Sequence, residues 1–324
     1  MLRFLAGKGV QYALVLLFAI TLNFLLPRMM PGSPLLFLVG EDVGFMPAEQ
    51  RAQIMRAFGL DQPLWRQYVI YLGNLAQGDL GFSYQQGRPI VEIIRNRLPW
   101  TLLLVGLSLL LATIAGVAWG MLAAWQRGGS VDFGSLAVAM FFESTPSFWL
   151  GMIFIATFAA GLGWFPIFGA QTIGIPLSGA AWIADRLRHL ALPLATLTLI
   201  TIPGMFMIMR YAMLTVLGEQ YITTARSKGV VERRVMYGHA MRNALLPVAT
   251  VFMLNLGTLV SGATVIETVF SYPGVGRLLF EAVLARDYPV IQATFFIVTV
   301  SVIAMNIIAD LLYPVIDPRV RHAR

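Results

Sequence analysis

From Leu98 to Gln126 the chain carries no charged side chain. An apolar run of about 20 residues spans a bilayer as a helix, because in hydrocarbon every backbone N–H and C=O must be satisfied within the segment. A membrane β-barrel would instead show segments of about 10 residues with alternating hydrophobicity. The rest of the chain agrees, being 58% hydrophobic and only 12% charged, where soluble domains carry roughly 25% charge. So few charges cannot solvate a globular surface. The chain reads as an all-α polytopic membrane protein.

Six spans account for the hydropathy, near residues 9–29, 98–126, 134–162, 190–214, 247–270 and 290–313. The uncharged stretch from Gly163 to Ala184 is a candidate seventh, but Gly163, Pro166, Gly169, Gly174, Pro176 and Gly179 are too many breakers for a lipid-facing helix. Parity agrees. With six spans, Arg3, Lys8, the basic loop Arg210–Arg242 and the tail residues Arg319, Arg321 and Arg324 all face the cytoplasm, as the positive-inside rule prefers. Both termini are then cytoplasmic, and residues 163–188 form an outer loop. Arg3 and Lys8 ahead of an apolar run also suit a signal peptide, yet no small-residue cleavage site follows, so a retained first helix is expected. Residues 31–97, with six basic and six acidic side chains, are expected to fold as an outer cap of two or three short helices.

Within the spans, Ala112, Gly116, Gly120 and Ala124 recur every four residues, and Gly257 and Ser261 do likewise. Small residues at this spacing let helix backbones approach closely in lipid. Pro193 and Pro203-Gly204 interrupt the fourth span, as kinks or as hinges.

Most catalytic chemistry is excluded for want of parts. Cysteine is absent, which removes disulfides, thiolate nucleophiles and Cys metal sites. Gly7-Lys8-Gly9 lacks the upstream Gly and following Ser/Thr of a phosphate-binding loop, and there is no HExxH. The three histidines, His189, His239 and His322, are far apart in sequence. No catalytic residue, metal or cofactor is assigned. The net charge of +7 lies mostly in loops beside apolar spans, where it sets topology rather than binding nucleic acid.

Four ionisable residues fall in or near the spans: Glu143, Arg210, Glu267 and Asp310. Such groups usually face a cavity or a partner, since burial in lipid is costly. Arg210, near a span end, is expected to snorkel to the interface, and Asp310 to tie the sixth span to the cationic tail. Glu143, ahead of the Pro-broken "STPSFW", and Glu267, ahead of "TVFSYPGVG", stand open between structural hydrogen bonding and lining a pathway. With Tyr272, Pro273 and Gly274 they form the candidate pathway or outer gate, and Ser271–Gly276 is expected to be irregular and near an outer mouth.

The loop 215–246 is far longer than the 2–8 residues that join neighbouring helices. Between Arg210 and Arg242 it holds six basic residues against the acids Glu219 and Glu232. Residues 219–229 suit one short helix and 232–243 another, with Gly229 supplying the turn. Tyr221 and Ala225, at i and i+4, would share a face as an apolar knob flanked by Arg226 and Lys228. Such a knob suits a groove on a partner protein; the other reading is an amphipathic helix on anionic lipid.

"TTARSKG" (Thr223–Gly229) followed by "HAMRNALLPV" (His239–Val248) resembles the cytoplasmic coupling loop of bacterial ABC importer permeases, in their dipeptide, oligopeptide and nickel branch. Thr223, Thr224 and Ala225 occupy the places of that loop's EAA, Gly229 its Gly, and Leu246-Pro247 its later Leu-Pro. "GLDQPLWRQY" (Gly59–Tyr68), "GDLGFS" (Gly78–Ser83), "STPSFWLG" (Ser144–Gly151), "ETVFSYPGVGRLL" (Glu267–Leu279), "RDYPVIQA" (Arg286–Ala293) and "DPRVR" (Asp317–Arg321) extend the likeness over nearly the whole chain. Glu143 departs from it, a neutral residue being the pattern there, which bears on the substrate rather than the family.

The resemblance implies the type I permease architecture in a bacterial inner membrane, with a second homologous permease completing the pathway. One or two kinds of cytoplasmic ATPase would carry ATP and Mg, and an extracytoplasmic solute-binding protein would dock on the outer face. Glu219, Tyr221, Thr224, Ala225, Arg226, Lys228 and Gly229 would then contact the ATPase. Short peptides are the favoured substrate, with nickel complexes, glutathione-like molecules and oligosaccharides as alternatives. A six-span channel or facilitator lacks its paired motifs and filter here, and an intramembrane protease its nucleophile and metal signatures.

Overall fold

The computed structural model describes residues 2–29, 46–57, 61–83, 85–257 and 263–316. Residues 31–45, Gly59 and Leu60, Ser261, the motif Asp317–Arg321 and His322 lie outside the described residues. Helices dominate: α1 (Leu2–Met29), α2 (Ala48–Ala57), α3 (Leu64–Ala76), α4 (Ile90–Trp125), α5 (Ser130–Ser144), α6 (Ser147–Phe154), α7 (Gly179–Leu217), α8 (Gln220–Ser227), α9 (Glu232–Arg234), α10 (Met241–Gly257), α11 (Thr264–Val269), α12 (Val275–Leu284) and α13 (Tyr288–Ile316).

Among the described residues, four helices are long and apolar enough to cross a membrane: Lys8–Leu25 within α1, all of α4, all of α7, and Tyr288–Ile308 within α13. A fifth crossing is made only if α5 and the helix from Ser147 to Gly161 count together, and these meet at 95°. The single span expected near 134–162 is therefore two helices. Pro146 caps the second and has no N–H to continue the first, and the second loosens into π-helical turns over Ile155–Gly161. The fourth span starts earlier than expected, since residues 179–188 continue α7, leaving 163–178 irregular. Pro193 and Pro203 both lie inside α7 without ending it.

The backbone of the fold is the pairing of α4 with α7. A Cβ on Gly116 would lie 2.6 Å from Met205 Cβ, and one on Gly120 would lie 2.5 Å from the Phe206 carbonyl oxygen. The small-residue stripe is thus a backbone-to-backbone seam, with Ala112 and Ala124 buried along it. At the Trp125 end, Met121, Met209 and Met213 form a core with Ile222, Val235 and Met236. At the other end, Ile90, Ile93 and Ile94 pack on Leu278, Ala282 and Val290.

Helix α1 lies along α13. Asn23 Nδ2 donates to the Gln292 carbonyl at 2.7 Å and Gln292 Nε2 returns a bond to the Asn23 carbonyl at 2.9 Å. At the far end Asp310 accepts from Tyr12 at 2.8 Å and pairs with Lys8 at 2.9 Å. Asp310 thus ties α13 to α1, and the tail it was expected to serve lies outside the described residues.

Where the sequence suggested only helices between the first two long spans, a two-stranded antiparallel hairpin appears, with Phe82 opposite Pro89 and Ser83 opposite Arg88. Ser83 donates its hydroxyl to Asp287, and Gln85 donates to the Ala285 carbonyl. The hairpin is thereby pinned to the corner between α12 and α13. Burial pushes the Asp287 carboxyl above the usual range, against the pull of the Ser83 hydroxyl and the Val290 amide.

Candidate coupling surface and gate region

Three groups of residues carry the site expectations, and the fold treats each differently. The first is the loop 215–246. After α7 ends, Glu219 is extended and caps α8. Gly229 then turns the chain with φ +75, a left-handed conformation that glycine adopts without strain. Glu232–Arg234 and a π-helical stretch, Val235–Ala240, run unbroken into α10.

Helix α8 buries Ile222 and Ala225, at i and i+3, into the Met209–Met213 core, and leaves Tyr221, Thr224 and Lys228 exposed. Ala225 is only 8% exposed and Tyr221 41%. The knob expected from Tyr221 and Ala225 together therefore does not exist. An i, i+4 pair is 40° apart on the helix, and here that angle crosses the boundary of the buried face. The outward surface is Tyr221, Thr224, Arg226 and Lys228, continued by Val231, Arg233, Arg234 and Tyr237, all exposed.

That surface is braced rather than loose. Arg226 donates twice to Glu232, at 3.0 and 3.3 Å, closing the two arms of the turn. Asn243 Nδ2 donates to the Tyr221 hydroxyl at 2.9 Å, fixing α8 to α10. Glu219 and Thr224 are exposed on the same element.

The second group surrounds Glu267, which is 0% exposed. One carboxylate oxygen accepts from the Thr101 hydroxyl at 2.8 Å, the other from the Arg277 N–H at 2.9 Å. Thr101 in turn accepts from the Val275 N–H at 2.8 Å. The first N–H groups of α12 have no intrahelical partner, and here a buried carboxylate and a hydroxyl from α4 take that place. The negative charge also suits the positive end of the helix.

The glycines of "PGVG" follow from this arrangement. A Cβ on Gly274 would fall 2.2 Å from the Glu267 carboxyl carbon, and one on Gly276 would fall 2.6 Å from Thr264 Oγ1. Tyr272 is buried edge-on against Trp100 at 5.8 Å, Gly274 is buried and Pro273 half-buried. Ser271 to Gly274 is irregular as expected, but Val275, expected near an accessible mouth, is 1% exposed and begins a helix. In this chain Glu267 is a structural pin.

The third group is the remaining intramembrane charge. Arg210, expected to snorkel, instead donates from Nε and Nη2 to the two Asp132 oxygens at 2.7 and 2.9 Å. Asp132 also accepts from the Gly128 N–H at 3.0 Å. Asp132 and Thr101 were not singled out from sequence; the buried Arg210 was a signal that some carboxylate must meet it. Glu143 is exposed, with no hydrogen bond or ion pair among the described residues. Among those residues there is also no group of three or more His, Cys, Asp or Glu side chains placed to hold a metal.

Residues 116–322 match the family model for the binding-protein-dependent transport system inner membrane component, and residues 1–105 match the model for the N-terminal part of such components. The chain belongs to the permeases of binding-protein-dependent ABC importers, in their peptide branch.

Among curated proteins, this permease is 38% identical to the oligopeptide transport system permease protein AppB of Bacillus subtilis, over 95% of this chain and 96% of that one. It is 39% identical to the di/tripeptide transport system permease protein DppB of Pseudomonas aeruginosa, over 95% of each. The dipeptide transport system permease protein DppB of Escherichia coli K12 is 38% identical over 94% of each.

Proposed function

We propose that this chain is one of two transmembrane subunits of an importer that takes up short peptides, driven by cytoplasmic ATPases and supplied by an extracytoplasmic solute-binding protein. The observation that carries the reading is the near full-length match, at 38–39% identity, to permeases that are each named for oligopeptide, di/tripeptide or dipeptide transport. The chain itself performs no covalent chemistry, and ATP and Mg belong to its partners. A bacterial cytoplasmic membrane, six spans and two cytoplasmic termini complete the proposal. The proposal assigns the sixth crossing to the segment that begins with Met241–Gly257, beside the five that length and composition admit.

The coupling role falls to the surface around α8. Its buried side, Ile222 and Ala225, is packed on the same core as α7 and α10, so a push on its exposed side reaches both helices. Tyr221, Thr224, Arg226 and Lys228 supply an aromatic ring, a hydroxyl and two cations to an ATPase groove, while Glu219 and Gly229 shape the ends of the helix. Switching between outward and inward access then requires only that the ATPase bind the two states with different affinity.

The test is isolation of the complex from its native membrane by a tag on this chain, followed by reconstitution. The expected result is a co-isolated ATPase and ATP-dependent uptake of labelled di- and tripeptides in the presence of the binding protein. A tagged chain that brings down no ATPase would place it with channels or facilitators instead.

A further inference from the structure

Three charges in or beside the long helices are held within the chain. Asp132 holds Arg210, Lys8 and Tyr12 hold Asp310, and Thr101 with the α12 amides holds Glu267. Glu143 is exposed and without a partner among the described residues. It stands in the last turn of α5, immediately before the Thr145-Pro146 break that separates the two halves of the bent span.

Its angular position is informative. Asp132, Ser135 and Ala139 are the buried residues of α5, and they hold it to the bundle. Ser135 accepts from Trp119 Nε1 at 2.8 Å, and Ala139 packs with Ala123 and Phe206. Glu143 is one turn beyond Ala139, about 40° further round. It therefore continues the protein-facing stripe and not the lipid-facing one, at the point where that stripe stops being covered. A discontinuous helix with an open polar position at its break is how transporter folds build cargo sites near mid-membrane.

Across the break, Phe148 and Trp149 at the start of α6 are exposed at 48 and 46%. A carboxylate left open at such a break suits an ammonium ion, which gives it a charge-assisted hydrogen bond. The relatives are named for peptide cargo, and every unblocked peptide carries an ammonium at its amino terminus, with lysine side chains carrying another.

Resting on the proposed function, we propose that Glu143 lines the translocation pathway and receives the ammonium group of the passing peptide. The test uses the reconstituted importer with its binding protein and three labelled substrates: a neutral dipeptide with a free amino terminus, its N-acetylated form, and an N-acetylated dipeptide containing lysine. Glu143→Gln is expected to lower uptake of the free dipeptide about tenfold, with Glu143→Asp restoring most of it and both variants co-isolating with their partner subunits. If the lysine peptide falls with the free dipeptide, any ammonium serves; if it behaves like the blocked neutral one, the amino terminus is the group recognised. Unchanged uptake in Glu143→Gln, or an equal fall for the blocked neutral peptide, overturns the inference. So does loss of the second permease from the variant complex, which would assign Glu143 to a subunit contact. A wild-type complex that hydrolyses ATP but imports no peptide would instead bring down the proposed function itself.

Discussion

Replacing Asp132 by Ala tests how α5 is held to the bundle. Its carboxylate accepts two bonds from Arg210, at 2.7 and 2.9 Å, and one from the Gly128 N–H at 3.0 Å. The two residues are only 2% and 9% exposed, so the substitution strands a guanidinium away from water instead of releasing it. For an exposed pair the loss would be about 0–1 kcal/mol. Breaking a buried pair by removing one partner costs about 3–5 kcal/mol. Two hydrogen bonds to charged groups, at about 1.5–3 kcal/mol each, bracket the same figure. At about 1.4 kcal/mol per factor of ten, the folding equilibrium shifts roughly 100- to 4,000-fold. Asp132→Ala/Arg210→Met removes the stranded charge and should recover at least half of the loss, because apolar replacements of buried pairs are near neutral. SDS titration of the detergent-solubilised chain, followed by tryptophan fluorescence, gives the midpoints. A single variant within about 1 kcal/mol of wild type, or a double variant no more stable than the single, refutes the assignment.

Gly274→Ala drives a methyl into the Glu267 carboxylate, 2.2 Å from the would-be Cβ, and should cost about 1–3 kcal/mol in the same titration. Ala225→Glu should reduce the yield of folded, monodisperse protein in size-exclusion chromatography, since it places a charge in the chain's own core. Thr224→Glu, on the exposed side of the same helix, should fold normally and instead weaken ATPase co-isolation. Arg226→Ala removes an ion pair whose side chains are 44% and 57% exposed; its unfolding midpoint should move by less than about 1 kcal/mol. A larger shift would mean that the turn is held mainly by that pair.

The long helices are legible because membrane hydrocarbon leaves so few solutions: α4, α7 and α13 follow from apolar length alone. Their close packing is legible too, as Gly116 and Gly120 recur on one face. What sequence could not give is pairing across distance. Nothing local joins Arg210 to Asp132, 78 residues away, or Glu267 to Thr101, 166 residues away. Each looks like a lone charge until the fold supplies its partner. Faces of short helices are similarly hidden. In α8 the inward side is Ile222 and Ala225 rather than Tyr221 and Ala225, because the tertiary core, not the helix's own composition, decides which residues turn inward. The Pro146 break was visible as a proline, but the 95° angle across it was not.

The seam at Gly116 and Gly120 also limits how the molecule can work. Two helices whose backbones come this close at Gly116 and Gly120 have little room to slip past each other there. Rotating α4 about its own axis would swing Val117 or Met121 into the place of a hydrogen atom. The pair α4–α7 is therefore a single beam. Whatever displacement starts beneath Ile222 must tilt this beam as a whole or bend what is attached to it, and the attached part already carrying a corner is the span broken at Pro146.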